Sequence, residues 1–590
     1  MGQSLGDSKK CQWNYDKKDV MKLLKYFPLV LLFLQCEKRT TSANLQQLIK
    51  SYENFEAYDK ESFPLGDFSE KRFQKEADFW ANTLSDLNTL SIESLSREDQ
   101  LSYELFQFVL QENIKEYEFK TYYNPILSDA GFHNDLIYRV GPLTSLKEAK
   151  DYLAMLKAIP LFVAQNISLI QKGIDAGISQ PKVIFKGYEK SYLQHINANA
   201  EDNFYYQPFL QLPSSLSTPI KDSLTAEAKQ VITQEVVPAF QDIKHFFEKK
   251  YLPNTRENIG VSSTPNGAAY YKNRIAFYTT LPLTAEEIHQ IGLDEVKKIR
   301  NAMEAIIAEV DFQGSFEDFF TYLRTDARFY AQSPEELLMR ARDISKRLDE
   351  QLPRYFKTLP RKPYGVAAVP DAIAPKYTGG RYIPTAPDSN DPGYYWVNTY
   401  NLPSRPLYVL PALSAHEAVP GHHLQMALNA ELPKSIPAFR RDLYLSAYGE
   451  GWGLYTESLA AEMGIYTTPY ERFGQLTYSM WRACRLVVDT GIHAFGWSRA
   501  QAVDFMTENT ALSLHEINTE VDRYISWPGQ ALAYKIGELK IKSLREKATL
   551  ALGEKFDIRE FHEVILGKGT LTLPLMEKEV EQYITRHKNE

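Results

Sequence analysis

His416-Glu417-Ala418-Val419-Pro420-Gly421-His422-His423 is the stretch around which the rest of the chain reads. A histidine followed at once by a glutamate, with further histidines within two helical turns, is how zinc hydrolases place two metal ligands beside a general base. In His-Glu-x-x-His the two imidazoles stand four residues apart on one helix face. Here the second histidine comes six residues after His416, or seven if it is His423. In an unbroken helix six residues rise by about 9 Å, whereas two nitrogens on one zinc stand only about 3–4 Å apart. The helix must therefore be interrupted. Pro420 removes a backbone donor and clashes with the preceding turn, and Gly421 tolerates almost any backbone angle, so the break is encoded between the histidines. His422 is favoured over His423 because it leaves less extra chain to absorb.

A third ligand is offered downstream, in Tyr448-Gly449-Glu450-Gly451-Trp452-Gly453-Leu454-Tyr455-Thr456-Glu457. Gly449-Glu450-Gly451-Trp452-Gly453 is similar to the Asn-Glu-Gly-Phe-Ala of the zinc aminopeptidases, where the glutamate is the third zinc ligand. That resemblance implies Glu450. Glu457, seven residues on and on the same helical face, reads as a carboxylate that orients a ligand imidazole. A chance His-Glu pair, with His422-His423 capping a helix, is the competing explanation, and the Glu450 segment weighs against it.

Together with Leu283-Thr284-Ala285-Glu286-Glu287-Ile288-His289-Gln290-Ile291-Gly292, Asp489-Thr490-Gly491-Ile492-His493-Ala494-Phe495-Gly496-Trp497-Ser498 and Trp527-Pro528-Gly529-Gln530-Ala531-Leu532-Ala533-Tyr534-Lys535, these segments carry a family likeness. The chain resembles the bacterial domain of unknown function 885 family, zinc-peptidase-like proteins often found as envelope lipoproteins. The likeness covers essentially everything after an N-terminal signal segment. The expected fold is mainly α and zincin- or gluzincin-like, with two helical lobes around a deep cleft and a small β-sheet beside the metal helix.

At 590 residues, 44% hydrophobic and 24% charged, the chain can bury a sizeable core, and a net charge of -8 argues against a nucleic-acid surface. Met21-Lys22-Leu23-Leu24-Lys25 is a short basic region, and Tyr26 to Leu34 an apolar run too short for a permanent span, so residues 1–36 read as an export signal whose true start is expected at Met21. Cys36 closes it in the manner of a lipidated cysteine, although Gln35 stands where Gly, Ala or Ser is usual. A lipid anchor there is the one membrane link expected. With Cys36 acylated and Met21 as the start, Cys484 is left alone and no intramolecular disulfide forms. The protein is thus expected in the bacterial envelope, facing the periplasm or the cell surface.

Residues 37–250 read as a helical lobe and 251–590 as a catalytic lobe, the boundary being the Pro-, Gly-, Ser- and Thr-rich run from Tyr251. Leu45, Leu48, Ile49 and Tyr52 recur at half-buried helix spacing, as do Leu101, Leu105, Phe108 and Val109, then Ala149, Tyr152, Leu153 and Leu156. His195 and His245 have no partners in sequence and are expected to be structural. Thr284-Ala285-Glu286-Glu287 predicts a capping box opening a helix on which His289 lies. Tyr394 to Tyr400 and Leu407 to Leu410 are predicted as short strands just before the metal helix. An extended peptide could add to such an edge, by analogy with zinc peptidases.

Zinc held by His416, His422 and Glu450 would keep a fourth position for water and lower its pKa toward about 7. Glu417 would take the water proton and pass it to the leaving amine. Arg485, Asp489 and His493, spaced four and four, stack along one helix face. His493 and Tyr534 are the expected oxyanion donors, with Tyr524 a comparable phenol, and Arg523 or Arg485 is expected to bind a substrate carboxylate unless Arg485 pairs with Asp489. The leading expectation is a zinc-dependent metallopeptidase acting on short peptides. The alternatives are a zinc amidase acting on cell-wall peptides and a non-catalytic peptide-binding lipoprotein.

Overall fold

Apolar stripes spaced three and four residues apart become the buried faces of helices in the computed structural model, which describes residues 40–371, 373–386 and 389–589. The signal segment and Cys36 lie outside the described residues. Leu45 and Ile49 are buried, as are Leu101 and Leu105 on α1 (Arg97–Glu118) and Ala149, Tyr152, Leu153 and Leu156 on α2 (Leu146–Asp175). Helix α2 is long and apolar enough to cross a membrane, yet half of its apolar window is buried inside the protein. Its Tyr152 hydroxyl donates to the Tyr205 carbonyl, 3.0 Å away within the core.

The capping box forms as the sequence predicts. Thr284 receives the Glu287 N–H, and the Glu287 carboxylate receives that of Thr284, opening α3 (Ala285–Glu309). His289 on α3 turns to Thr490 Oγ1, 2.8 Å away, and packs beside Phe495 and Trp497. One buried cluster joins Tyr152, Leu156 and Phe240 to Met480, Cys484 and Val488, and another joins Leu101 and Leu105 to Leu348 and Trp452, so apolar packing is continuous across residue 250.

Among the described residues the protein is mainly helical with one small sheet. Strands β1 (Tyr364–Ala368), β2 (Gly380–Ile383) and β3 (Gly393–Val397) lie in the order β1-β3-β2, with β1 parallel and β2 antiparallel to β3. Strand β2 is therefore an edge. The aromatic run beginning at Tyr394 is β3, but the second predicted strand is not one: Leu407–Val409 is a 3-10 turn leading into α4 (Leu410–Glu417). Pro406 caps that turn and Pro411 stands in the first turn of α4, where its missing N–H costs nothing and its fixed φ suits a helix. The helix ends at Glu417, and α5 (His422–Ala430) starts five residues later, so the interruption expected at Pro420-Gly421 is present.

Against α4 pack α6 (Ser446–Glu462) and α7 (Pro469–His493), with α8 (Leu514–Ser526) on α7 and α9 (Ala533–Leu552) on α6, and together they form the helical wall. Helices α6 and α9 touch backbone to backbone: a Cβ on Gly451 would lie 2.5 Å from Cα of Gly537. This contact fixes Tyr534, one turn before Gly537, beside the start of α6.

Candidate metal centre

The break after Glu417 folds Gly421 back onto the end of α4, where a Cβ would lie 1.9 Å from the His416 carbonyl oxygen. Only glycine fits there, and the reversal sets the rings of His416 and His422 4.8 Å apart and nearly perpendicular. Trp452 on α6 pins the break by donating its indole N–H to the Pro420 carbonyl at 2.8 Å, and Thr456 Oγ1 donates to Ala415 O at 3.0 Å. Removing so large a buried side chain costs about 3–5 kcal/mol in a typical core. Helix α6 thus holds the interrupted segment from one side. Gly453 completes the fit, because a Cβ there would meet the His416 ring at 2.7 Å.

From the same helix Glu450 reaches both imidazoles. Its Oε2 is 3.5 Å from Nε2 of His416 and 3.5 Å from Nε2 of His422, and one donor atom from each of the three residues lies within 4.8 Å of the others. Donors on a tetrahedral zinc with bonds of about 2.0–2.1 Å stand roughly 3.3 Å apart. Two imidazole nitrogens and one carboxylate at this spacing fit such an ion. His423 points elsewhere: its Nδ1 meets the Tyr382 hydroxyl at 3.0 Å, its ring packs on Tyr364, and burial lowers its pKa to about 4.

Charge supports the cluster. Burial disfavours the His416 imidazolium, but Glu450 and Glu457 outweigh it and raise the pKa to about 9. Glu457, fully buried, takes Nδ1 of His416 at 2.8 Å, the orienting contact expected of it. Burial alone would raise Glu450; its two histidines instead hold it well below the usual carboxylate range. Glu417 is not a member of the triad. Its Oε2 accepts the Tyr382 N–H of edge strand β2 at 2.8 Å.

Of the other expected residues, Tyr534 is half-buried and lies close enough to Glu450 to feel its charge: burial, then Glu450, raises the phenol pKa. His493 is a correction. It is 1% exposed, its Nδ1 accepts the Val261 N–H at 3.1 Å and its Nε2 meets the Tyr524 carbonyl at 3.0 Å, so no ring nitrogen is free for an oxyanion. Tyr524 is another: it is 1% exposed, and its hydroxyl receives Arg485 Nε at 2.9 Å and Trp481 Nε1 at 3.0 Å. It supports Arg485 from behind and has no face for a substrate. Arg485 does not pair with Asp489, which accepts the Tyr271 hydroxyl at 2.6 Å and the Gly529 N–H. Arg485 and Arg523 both reach Glu520.

Two residues at the site carry no sequence signal. Tyr444 donates its hydroxyl to Glu450 Oε1 at 3.1 Å, and Arg381 on β2 is influenced by Tyr377, Glu417, Glu450 and Tyr534. Tyr444 is 44% exposed, yet burial is the main cause that raises its pKa well above the ordinary value.

The fold and the cluster define a mainly helical protein whose interior presents a His-His-Glu set suited to a metal ion. The chain belongs to the DUF885 family of bacterial proteins of unknown function, which matches residues 56–580. A solved structure of a candidate lipoprotein from Colwellia psychrerythraea is similar at 29% identity and a TM-score of 0.81, covering 93% of this chain and 99% of that one. A candidate lipoprotein of unknown function from Shewanella oneidensis shares the fold at 18% identity and a TM-score of 0.65, covering 92% of this chain and 99% of that one. No curated protein matches the chain.

Proposed function

We propose that this protein is a zinc-dependent peptidase with a zincin-like centre in a deep cleft between two helical lobes. The observation that carries the reading is the convergence of His416, His422 and Glu450, with Glu417 beside them and outside the ligand set. Zinc held by those three residues would supply a Lewis acid that polarises water and the scissile carbonyl. Glu417 is the base. Its Oε2 is held by the Tyr382 N–H, which leaves Oε1 to accept the water proton and return it to the leaving amine. Tyr534, beside Glu450, is the donor for charge developing on the carbonyl oxygen, in place of His493. Edge strand β2 gives an extended peptide a backbone to pair with. That the similar Colwellia psychrerythraea protein is a candidate lipoprotein supports export and a lipid anchor, for which Cys36 is the cysteine this sequence offers.

The test is metal analysis of the purified protein combined with a peptide-library digest, with and without chelator. About one equivalent of zinc and cleavage that disappears on chelation and returns with zinc are expected. Zinc without cleavage of any peptide would leave a peptide-binding lipoprotein.

A further inference from the structure

A second cluster of charge lies on the wall formed by α7, α8 and the start of α9. Arg482 and Arg485 bracket the Tyr534 ring, their guanidinium carbons 5.9 and 4.5 Å from its centroid, and both stand 4.5 Å from the Trp481 ring. Arg485 is 3% exposed. Its Nε donates to the Tyr524 hydroxyl and its Nη2 to Glu520 Oε2, each at 2.9 Å, while Nη1 is buried with no hydrogen-bond partner among the described residues. Arg523 donates to Gln530 Oε1 at 2.8 Å and to the same Glu520 oxygen at 3.4 Å.

One carboxylate is therefore shared by two guanidiniums, and the sum is positive. Arg482 adds to it. Its Nε is also buried with no hydrogen-bond partner among the described residues, and Glu457, 3.9 Å from Nη2, is already engaged by His416. Glu516, which Arg405, Arg482 and Arg485 all influence, is pushed up to about 7 by burial and by Glu520, so it cancels only part of the excess at neutral pH. A buried guanidinium with an unused N–H and surplus positive charge is costly unless an anion completes it. The cluster adjoins the His-His-Glu set, because Tyr534 links the two through the Gly451–Gly537 contact.

We propose that Arg485, with Arg523 and the Tyr534 ring, receives a carboxylate of the substrate, so that the peptidase selects peptides bearing a free carboxylate close to the scissile bond. This rests on the hydrolytic reading above and narrows its substrate class. The unpaired Arg485 Nη1 then donates to a full negative charge, which a neutral amide cannot supply.

Three N-acetylated peptides of one length separate the sources of the carboxylate: a C-terminal acid, the corresponding amide, and that amide with aspartate as last residue. The acid should be cleaved with a kcat/KM about tenfold to a hundredfold above the amide, as expected for losing a charge-assisted hydrogen bond. Recovery with the aspartyl amide would show that a side-chain carboxylate also serves, and no recovery that the terminus itself is read. In Arg523→Gln, which avoids emptying the buried Arg485 position, the acid-to-amide ratio should fall toward one. Equal cleavage of acid and amide by the wild type would overturn the subsite and leave the peptidase reading intact. Calorimetric titration of the acid and amide peptides into Glu417→Gln tests the subsite without turnover. Tighter binding of the acid there, with no hydrolysis by wild type, would keep the subsite and remove the peptidase. Equal binding would overturn the subsite.

Discussion

Nδ1 of His416 lies 2.8 Å from Oε1 of Glu457, one buried carboxylate fixing the orientation of one buried imidazole. The contact leaves Nε2 as the nitrogen turned toward Glu450 and His422. Partners of this kind are typically worth about 10–100-fold in metal affinity. Glu457→Ala should therefore weaken zinc binding by that factor while leaving His416, His422 and Glu450 in place. Competition with a chromogenic chelator measures it. An unchanged affinity would mean that packing alone orients the ring.

Gly453 tests the same imidazole from its other side. Alanine at this helical position would be favoured by about 1 kcal/mol on helix propensity alone, but its Cβ would stand 2.7 Å from the His416 ring. The ring must give way. Gly453→Ala should lower zinc affinity by at least about tenfold, as expected when an orienting contact is disturbed, and should also lower the thermal stability of the metal-free protein, because the displaced ring strains its contact with Glu457. Full zinc occupancy at wild-type affinity would show that the ring can shift without losing the site.

His416 also predicts a pH dependence for the metal-free protein. Its folded pKa, about 9, lies above the unfolded value of about 6.5. A raised folded pKa stabilises fully below the unfolded value and loses that contribution as pH rises through the folded one. In chelator, the stability difference between wild type and His416→Gln should thus shrink from pH 6.5 to pH 9. Denaturant titrations at both ends check this. Zinc needs the neutral ring, so uptake at pH 7.5 should release protons, measurable by calorimetry in buffers of different ionisation enthalpy.

Much of the centre is legible because its constraint is local. Two histidines six residues apart cannot share an ion on a straight helix, and Pro420-Gly421 says where the chain must break. The capping box at Thr284 is read in the same way. What could not be read depends on packing. Arg485, Asp489 and His493 share a helix face at four-residue spacing, but α7 is buried continuously from Arg482 to His493. Spacing names a face and does not say whether core or recess lies against it. Tyr524 and Tyr534 look equivalent in sequence, and only the seat of Tyr534 beside Gly537 and Gly451 separates them. The bond from Tyr382 to Glu417 needs an edge strand that has no strong pattern of its own.

Separating an enzyme from a binding protein falls to Glu417. It lies next to a ligand in sequence, yet its carboxylate is held by the Tyr382 N–H and is no part of the His-His-Glu set. Glu417→Gln keeps the shape of the side chain, and its amide oxygen can still accept from Tyr382. What is lost is the proton acceptor. General acid-base catalysis typically contributes about 10²–10⁴-fold, and this group would act twice per turnover, so kcat should fall into the upper part of that range. Zinc content should stay at the wild-type level, because no metal ligand changes, and KM should move little. The measurement is kcat on a cleaved peptide alongside metal analysis of the same sample. Cleavage persisting within about tenfold of wild type, far less than the loss of a general base implies, would remove the hydrolytic role from the His416 segment and leave it a metal or structural site.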